Sequence, residues 1–209
     1  MAPALPPAAQ RRIKPMLVLA VILASGIALL AWTQDWATVR LTAGGTTEQV
    51  LDVTGSIAAP GLTALALAGL ALAGALTIAG VVIRIILGVL EMLLGFSVAL
   101  SAALAVLDPV GASAAAVTTA TGIAGADSTR AAVSGAELTF WPFLALAAGV
   151  LMFVIGLAVC VTARRWPGPT TRYETTRFAP VTDAATGQTR PRDSVDDWDG
   201  LTRGDDPTA

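Results

Sequence analysis

Histidine is absent from this chain, lysine occurs once, at Lys14, and cysteine once, at Cys160. Without histidine there is no imidazole to act as a base or hold a metal. A single cysteine closes no intrachain disulfide and builds no Cys/His metal cluster. Charge is scarce too: 13% of the 209 residues are Asp, Glu, Lys or Arg, against about 25% in soluble domains. So few charges cannot cover a globule of this size with a wetted surface. The net charge of −2 averages unlike parts. Phosphate loops and Gly-x-Ser-x-Gly elbows are missing as well. No catalytic residue, cofactor or metal ligand is nominated, and the chain reads as no enzyme. A folded basic module for nucleic acid is also lacking.

What the chain has instead is apolar length. Hydrophobic residues make up 55% of it, in long runs. A helix crossing a bilayer needs roughly 20 apolar residues. The first run, 16–32, follows a basic segment, 1–15, and ends at Trp32, a residue suited to the interface. A cleaved signal peptide is the other reading of that start, but no small-x-small cleavage site follows the apolar core. Residues 61–107 hold two charges, Arg84 and Glu91. As one helix they would extend roughly 70 Å, too long for a single crossing. Two crossings fit, 61–80 and 85–107, with a cytoplasmic turn at 81–84. Asp108-Pro109 ends the second, because a residue before proline avoids the α region. The last run, 143–163, is introduced by Trp141-Pro142 and closed by Arg164, Arg165 and Trp166.

The expectation is an all-α membrane protein with four transmembrane helices. Basic residues orient it. One side collects Arg11, Arg12, Lys14, Arg84, Arg164, Arg165, Arg172 and Arg177, and the other only Arg40 and Arg130. The positive-inside rule puts both termini in the cytoplasm of a plasma-membrane protein. The first outer loop, 33–60, contains two β-prone stretches, 36–42 and 50–55, around Gly44-Gly45. It reads as a β-hairpin or as a short irregular loop. The second outer loop, 108–142, is rich in Ala, Thr, Gly and Ser, with a short surface helix or none.

The tail, 164–209, cannot bury a core and is expected to be disordered. Its ending is acidic around one tryptophan. Val195, Trp198 and Leu201 fall on one side of a short helix over 194–203. Asp193 or Ser194 caps its start, and acids fill its first turn. The motif reads as a docking peptide, 193–208, for a cytoplasmic protein or the inner face of its own bundle, or as a solvated acidic end.

Inside the spans, Glu91 is the unusual residue, because an ionisable side chain there is expensive. Arg84 lies seven residues earlier, on the same side of a helix that begins that early. The two form a candidate intramembrane pair. A proton or substrate role and a lipid contact are the other readings of Glu91. Small residues mark three stripes: Ala64, Ala68, Ala71, Ala75 and Ala79; Gly88, Gly95, Ala99 and Ala102; Ala145, Gly149 and Gly156. Such stripes let helices approach closely in lipid.

Four spans, the Trp-ended first helix and the phrases VTGSIAAP (53–60), RRWPGPTTRYE (164–174) and WDGLTRGDDPT (198–208) together resemble the tryptophan-operon-associated transmembrane proteins of actinobacteria. The resemblance covers nearly the whole chain. It departs at the turn between the second and third spans, where several arginines are expected and Arg84 alone is kept. It implies a genomic association with tryptophan biosynthesis and carries over no catalytic residues. The reading is a non-enzymatic membrane accessory protein, in the bilayer and able to form homo-oligomers, that presents its tail to a cytoplasmic partner. The second reading is a small transporter or exporter subunit for an aromatic metabolite.

Overall fold

A computed structural model describes residues 7–42, 48–166, 181, 182, 189 and 190. Helix α1, Pro7–Trp32, starts well before the apolar run expected at 16–32. Ala, Gln and Arg are good helix formers and extend it backward. Strands β1 (Asp35–Thr42) and β2 (Glu48–Thr54) follow, then the single turn α2 (Gly55–Ala58). Helices α3 (Leu62–Ile78) and α4 (Val81–Leu107) come next. Short helices α5 (Pro109–Ala112), α6 (Ala114–Thr121) and α7 (Ala126–Ala132) lead into β3 (Val133–Leu138). Helix α8, Trp141–Thr162, and a 3₁₀ turn, Ala163–Arg165, end the first compact unit.

Helices α1, α4 and α8 are long and apolar enough to cross a membrane, while α3 is a shorter apolar helix of 17 residues. The break between α3 and α4 falls at Ala79-Gly80, not over 81–84. Those four residues already belong to α4, with the Arg84 amide bonded to the Gly80 carbonyl at 2.9 Å. Glycine at the boundary costs the helix more than any residue but proline and so marks the interruption. The most extensive packing is α4 on α8; α1 packs on both α3 and α8, and α3 packs less extensively on α4. Their buried faces share one core.

Of the two readings of the expected first outer loop, the hairpin is the one present. β1 and β2 pair antiparallel, with Val39 opposite Leu51. β1 is then covered on its other edge by β3, giving the order β2-β1-β3. That third strand was not expected. Its sequence, VSGAEL, contains one β-branched residue and a glycine, so its conformation comes from pairing with β1, not from propensity. Arg40 and Glu137 form an ion pair across β1 and β3 at 2.9 Å. One face of the sheet is apolar: Ala37, Val39, Leu41 and Val53 pack with Ala116 and Val117 of α6 in a small second core.

Trp36 joins sheet to bundle. It is buried in the bundle core, and its Nε1 donates to the Ala31 carbonyl at 2.7 Å. Gly55, inside the phrase VTGSIAAP, packs directly against it. A Cβ there would lie 2.5 Å from Trp36 Nε1 and 2.7 Å from the Trp32 carbonyl. Gly122 ends α6 in the left-handed region, with φ 73°, a conformation glycine adopts without steric cost. Asp108 accepts from the Gly111 amide and from Arg130, each at 2.9 Å. The Gly111 hydrogen bond, then Arg130, holds its carboxyl below the usual range.

Residues 170–209 form a second unit. Its described part is an antiparallel ladder, Val181 opposite Arg190 and Thr182 opposite Thr189. The tail was expected to lack regular structure; valine and threonine are β-formers, which suits this short pairing. The helix expected at 194–203 lies outside the described residues.

Candidate functional site

The buried face of α4 reads Arg84, Gly88, Glu91, Gly95, Val98, Ala102, Ala105. The spacing alternates four and three, so one stripe runs the length of the helix. The facing stripe of α8 contains Ala145, Gly149, Met152, Gly156 and Val159. Glycines bring the two backbones together. A Cβ on Gly156 would lie 2.7 Å from both the Gly88 carbonyl oxygen and the Met92 nitrogen. A Cβ on Gly95 would lie 2.7 Å from the Gly149 carbonyl and would also strike the Phe153 nitrogen. The glycines on α4 and α8 thus face each other in two pairs, Gly88 with Gly156 and Gly95 with Gly149. The α3 stripe does not share this role. Ala64, Ala68 and Ala71 are exposed, and α3 instead buries Leu62, Ala66, Gly69, Leu72, Ala73 and Leu76.

Glu91 sits on the α4 stripe between the two glycine levels. It is fully buried, and neither carboxyl oxygen has a hydrogen-bond partner among the described residues. Ser25 of α1 is likewise fully buried with its hydroxyl unsatisfied. It packs against the bare backbone of Gly69 of α3, where the Met152 methyl also arrives. Glu91 and Ser25 are therefore fully buried polar side chains in a largely apolar bundle, and the Trp32 Nε1 and Thr63 Oγ1 atoms are also buried without a hydrogen-bond partner among the described residues.

Arg84 was expected in a cytoplasmic turn. It is instead buried in the first turn of α4, 1% exposed. Its Nη1 donates to the Ala163 carbonyl at 3.4 Å, and its guanidinium carbon stands 5.1 Å from the centre of the Trp166 ring. Trp166 is buried as well, and its Nε1 donates to Thr162 Oγ1 at 3.0 Å. The start of α4 and the end of α8 are clasped by this contact. Arg84 and Glu91 share a face but no hydrogen bond links them. Seven residues separate them by about 10 Å along the axis, and the guanidinium turns toward α8's last turn.

The clasp was not anticipated. Its one sequence signal is a tryptophan placed directly after the arginines that close the last span. Val195, Trp198 and Leu201, the candidate docking motif, lie outside the described residues.

The state of Glu91 sets a prediction. Replacing a buried, unsatisfied polar side chain by an apolar one of similar shape is neutral or stabilising, because the lost desolvation penalty is about 1–3 kcal/mol. Glu91→Leu is therefore expected to melt at or above the wild-type temperature in detergent. A clear drop would mean that the carboxyl holds the bundle together.

Neither a curated protein nor a solved structure matches the chain. A family model described as "tryptophan-associated transmembrane protein" matches residues 18–208. That stretch takes in the Trp32–Trp36–Gly55 junction, the α4–α8 glycine pairs and the Arg84–Trp166 clasp, and the chain belongs to the tryptophan-associated transmembrane protein family.

Proposed function

We propose that this protein is a non-enzymatic accessory protein that crosses the plasma membrane four times, with α1, α3, α4 and α8, and offers its ending to a cytoplasmic partner. The family's association with tryptophan links that service to tryptophan biosynthesis. The observation that carries this reading is the packing of α4 on α8. Backbone lies on backbone at two levels, a construction suited to a fixed anchor and ill suited to a passage. At 17 residues α3 is at the short end of what spans a bilayer. Both termini and the Ala79-Gly80 break face the cytoplasm in this arrangement, and the sheet lies outside.

Topology is testable with single cysteines in a Cys160→Ser background. Thr46→Cys and Ser128→Cys are expected to react with an impermeant thiol reagent on intact cells, and Thr186→Cys only after permeabilisation. Labelling of Thr186→Cys in sealed cells overturns the orientation.

The ending carries the partner. Burying Trp198 contributes roughly 1.5–3 kcal/mol, and ordering a short segment costs a comparable 2–5 kcal/mol. Binding by one copy is therefore weak, and homo-oligomers or a membrane-attached partner would raise the effective concentration. Trp198→Ala and deletion of 193–209 are expected to leave membrane insertion and abundance intact and to abolish function in a deletion strain. Full complementation by the shortened protein removes the docking reading. A photocrosslinker at Trp198 in native membranes then identifies what the ending touches.

The second reading, a transporter or exporter subunit for an aromatic metabolite, draws on Glu91 and Ser25, because polar groups near the midplane are what such proteins use. It predicts that Glu91→Gln abolishes activity at normal abundance, whereas the accessory reading predicts full activity.

A further inference from the structure

At the Thr77 end of α3, the side of α1 opens into a groove of about 360 Å³, lined by Lys14, Pro15, Val18, Leu19, Ile22 and Thr77. Lys14 sits at its head. Its Nζ donates to the Thr77 carbonyl at 2.6 Å, which fixes the ammonium over the last turn of α3. An ammonium has three donors, and among the described residues Thr77 takes one of them. Helix α3 contains no acidic residue to compete for the charge. Below the ammonium the wall is aliphatic, and Leu19 and Ile22 are 55% and 42% exposed. Pro15, inside α1, has no backbone N–H to offer. The groove is therefore a cationic head above an apolar furrow, open on the side that faces hydrocarbon if α1 and α3 span the membrane.

We infer that this groove is a binding site for one anionic membrane phospholipid, its phosphate on the Lys14 ammonium and an acyl chain along Val18, Leu19 and Ile22. The inference rests on the reading that α1 and α3 cross the bilayer. A free phosphate would leave the furrow empty, and a zwitterionic lipid, whose own cationic group offsets its phosphate, would neutralise the Lys14 charge less well. Basic pockets between membrane helices take anionic headgroups for this reason. Lys14 also ties α1 to the last turn of α3, so the lipid would bear on the α1–α3 seam.

The test is native mass spectrometry of the full chain in nonionic detergent, offered phosphatidylglycerol and phosphatidylcholine at equal concentration. One basic residue near a membrane surface favours an anionic lipid about fivefold, so about fivefold more phosphatidylglycerol is expected to be retained. Lys14→Gln still offers a donor to Thr77 but no charge, and it is expected to bring the ratio to one. Lys14→Arg is expected to keep the preference. Ile22→Trp fills the furrow and is expected to reduce retention of both lipids. Equal retention by the wild type overturns the inference. So does a preference that survives Lys14→Gln, which would place the lipid at the N-terminal arginines. A dimer without bound lipid that Ile22→Trp dissociates also overturns it, since a second copy would then fill the groove. Release of the chain from membranes by alkaline carbonate would instead defeat the spanning reading. An integral chain with no lipid preference defeats this site alone.

Discussion

Gly95→Leu is expected to prevent the bundle from assembling. The new side chain has nowhere to turn. The atoms nearest its Cβ are the Phe153 nitrogen, the Gly149 carbonyl oxygen at 2.7 Å and the Met152 carbonyl carbon at 2.9 Å. All are backbone atoms of α8, so no rotamer change relieves the clash. The helices must move apart over their whole length, and dispersion contacts fall off steeply with distance. In lipid this loss is not softened by a solvent term, since hydrocarbon is as apolar as the side chains. Overpacking a core costs roughly 1–3 kcal/mol where side chains can give, and here the cost exceeds that range. The expected result is a small fraction of normal abundance and no cooperative melting transition in detergent. Gly74→Ala is the control. Gly74 also lies within an apolar helix, but nothing stands within 4 Å of its Cβ position. The change should be neutral or stabilise by up to about 1 kcal/mol, the usual gain of alanine over glycine in a helix. Equal behaviour of the two variants would mean that α4 and α8 do not meet through Gly95.

Trp166→Ala is the second large effect. The indole is 3% exposed and covers the Arg84 guanidinium, itself 1% exposed. Truncating a buried tryptophan costs about 3–5 kcal/mol. Part of this is shared with Arg84, because a desolvated guanidinium over an indole gains up to about 2 kcal/mol. A double-mutant cycle with Arg84→Met and Trp166→Leu is therefore expected to show a coupling of about 1–2 kcal/mol. Melting temperatures of the four proteins in detergent supply the measurement. Additivity within about 0.5 kcal/mol would mean that the two residues stabilise the bundle independently. Arg84→Lys should recover only part of the loss, since an ammonium lacks the planar face that stacks on an indole.

The features most legible in the sequence were those set by hydropathy and length. The apolar runs containing α1, α3, α4 and α8 were identifiable because so few charges interrupt them. The hairpin was foreseeable because β-prone residues flank Gly44-Gly45. Less could be read where a conformation is imposed by a neighbour. VSGAEL becomes a strand because β1 has a free edge. The stripe of alanines on α3 is real as a pattern, yet Ala64, Ala68 and Ala71 face outward, because periodicity identifies faces without saying which one is covered. Arg84 and Glu91 share one face of α4 because the helix begins at Val81, before the expected 85, and its period of 3.6 then aligns residues seven apart. Their pairing was not guaranteed, because the axial distance decides it. The Arg84–Trp166 clasp joins residues 82 positions apart in sequence, a separation no local pattern spans.

The position of β1 in the middle of the sheet has a consequence for how the protein is made. β2 is synthesised within a few residues of β1 and can pair with it at once. β3 arrives much later; Arg40 and Glu137 are 97 residues apart. Between them come α3 and α4. During translation one edge of β1 therefore carries open N–H and C=O groups, a template for wrong pairing, until both intervening helices have been delivered. If those helices enter the membrane as a pair, β3 emerges on the same side as β1 and closes the edge. If α3 stalls, β3 is delivered to the opposite side and the edge stays open. On the four-span reading, the β2-β1-β3 sheet is completed only in chains whose α3 and α4 have entered the membrane together.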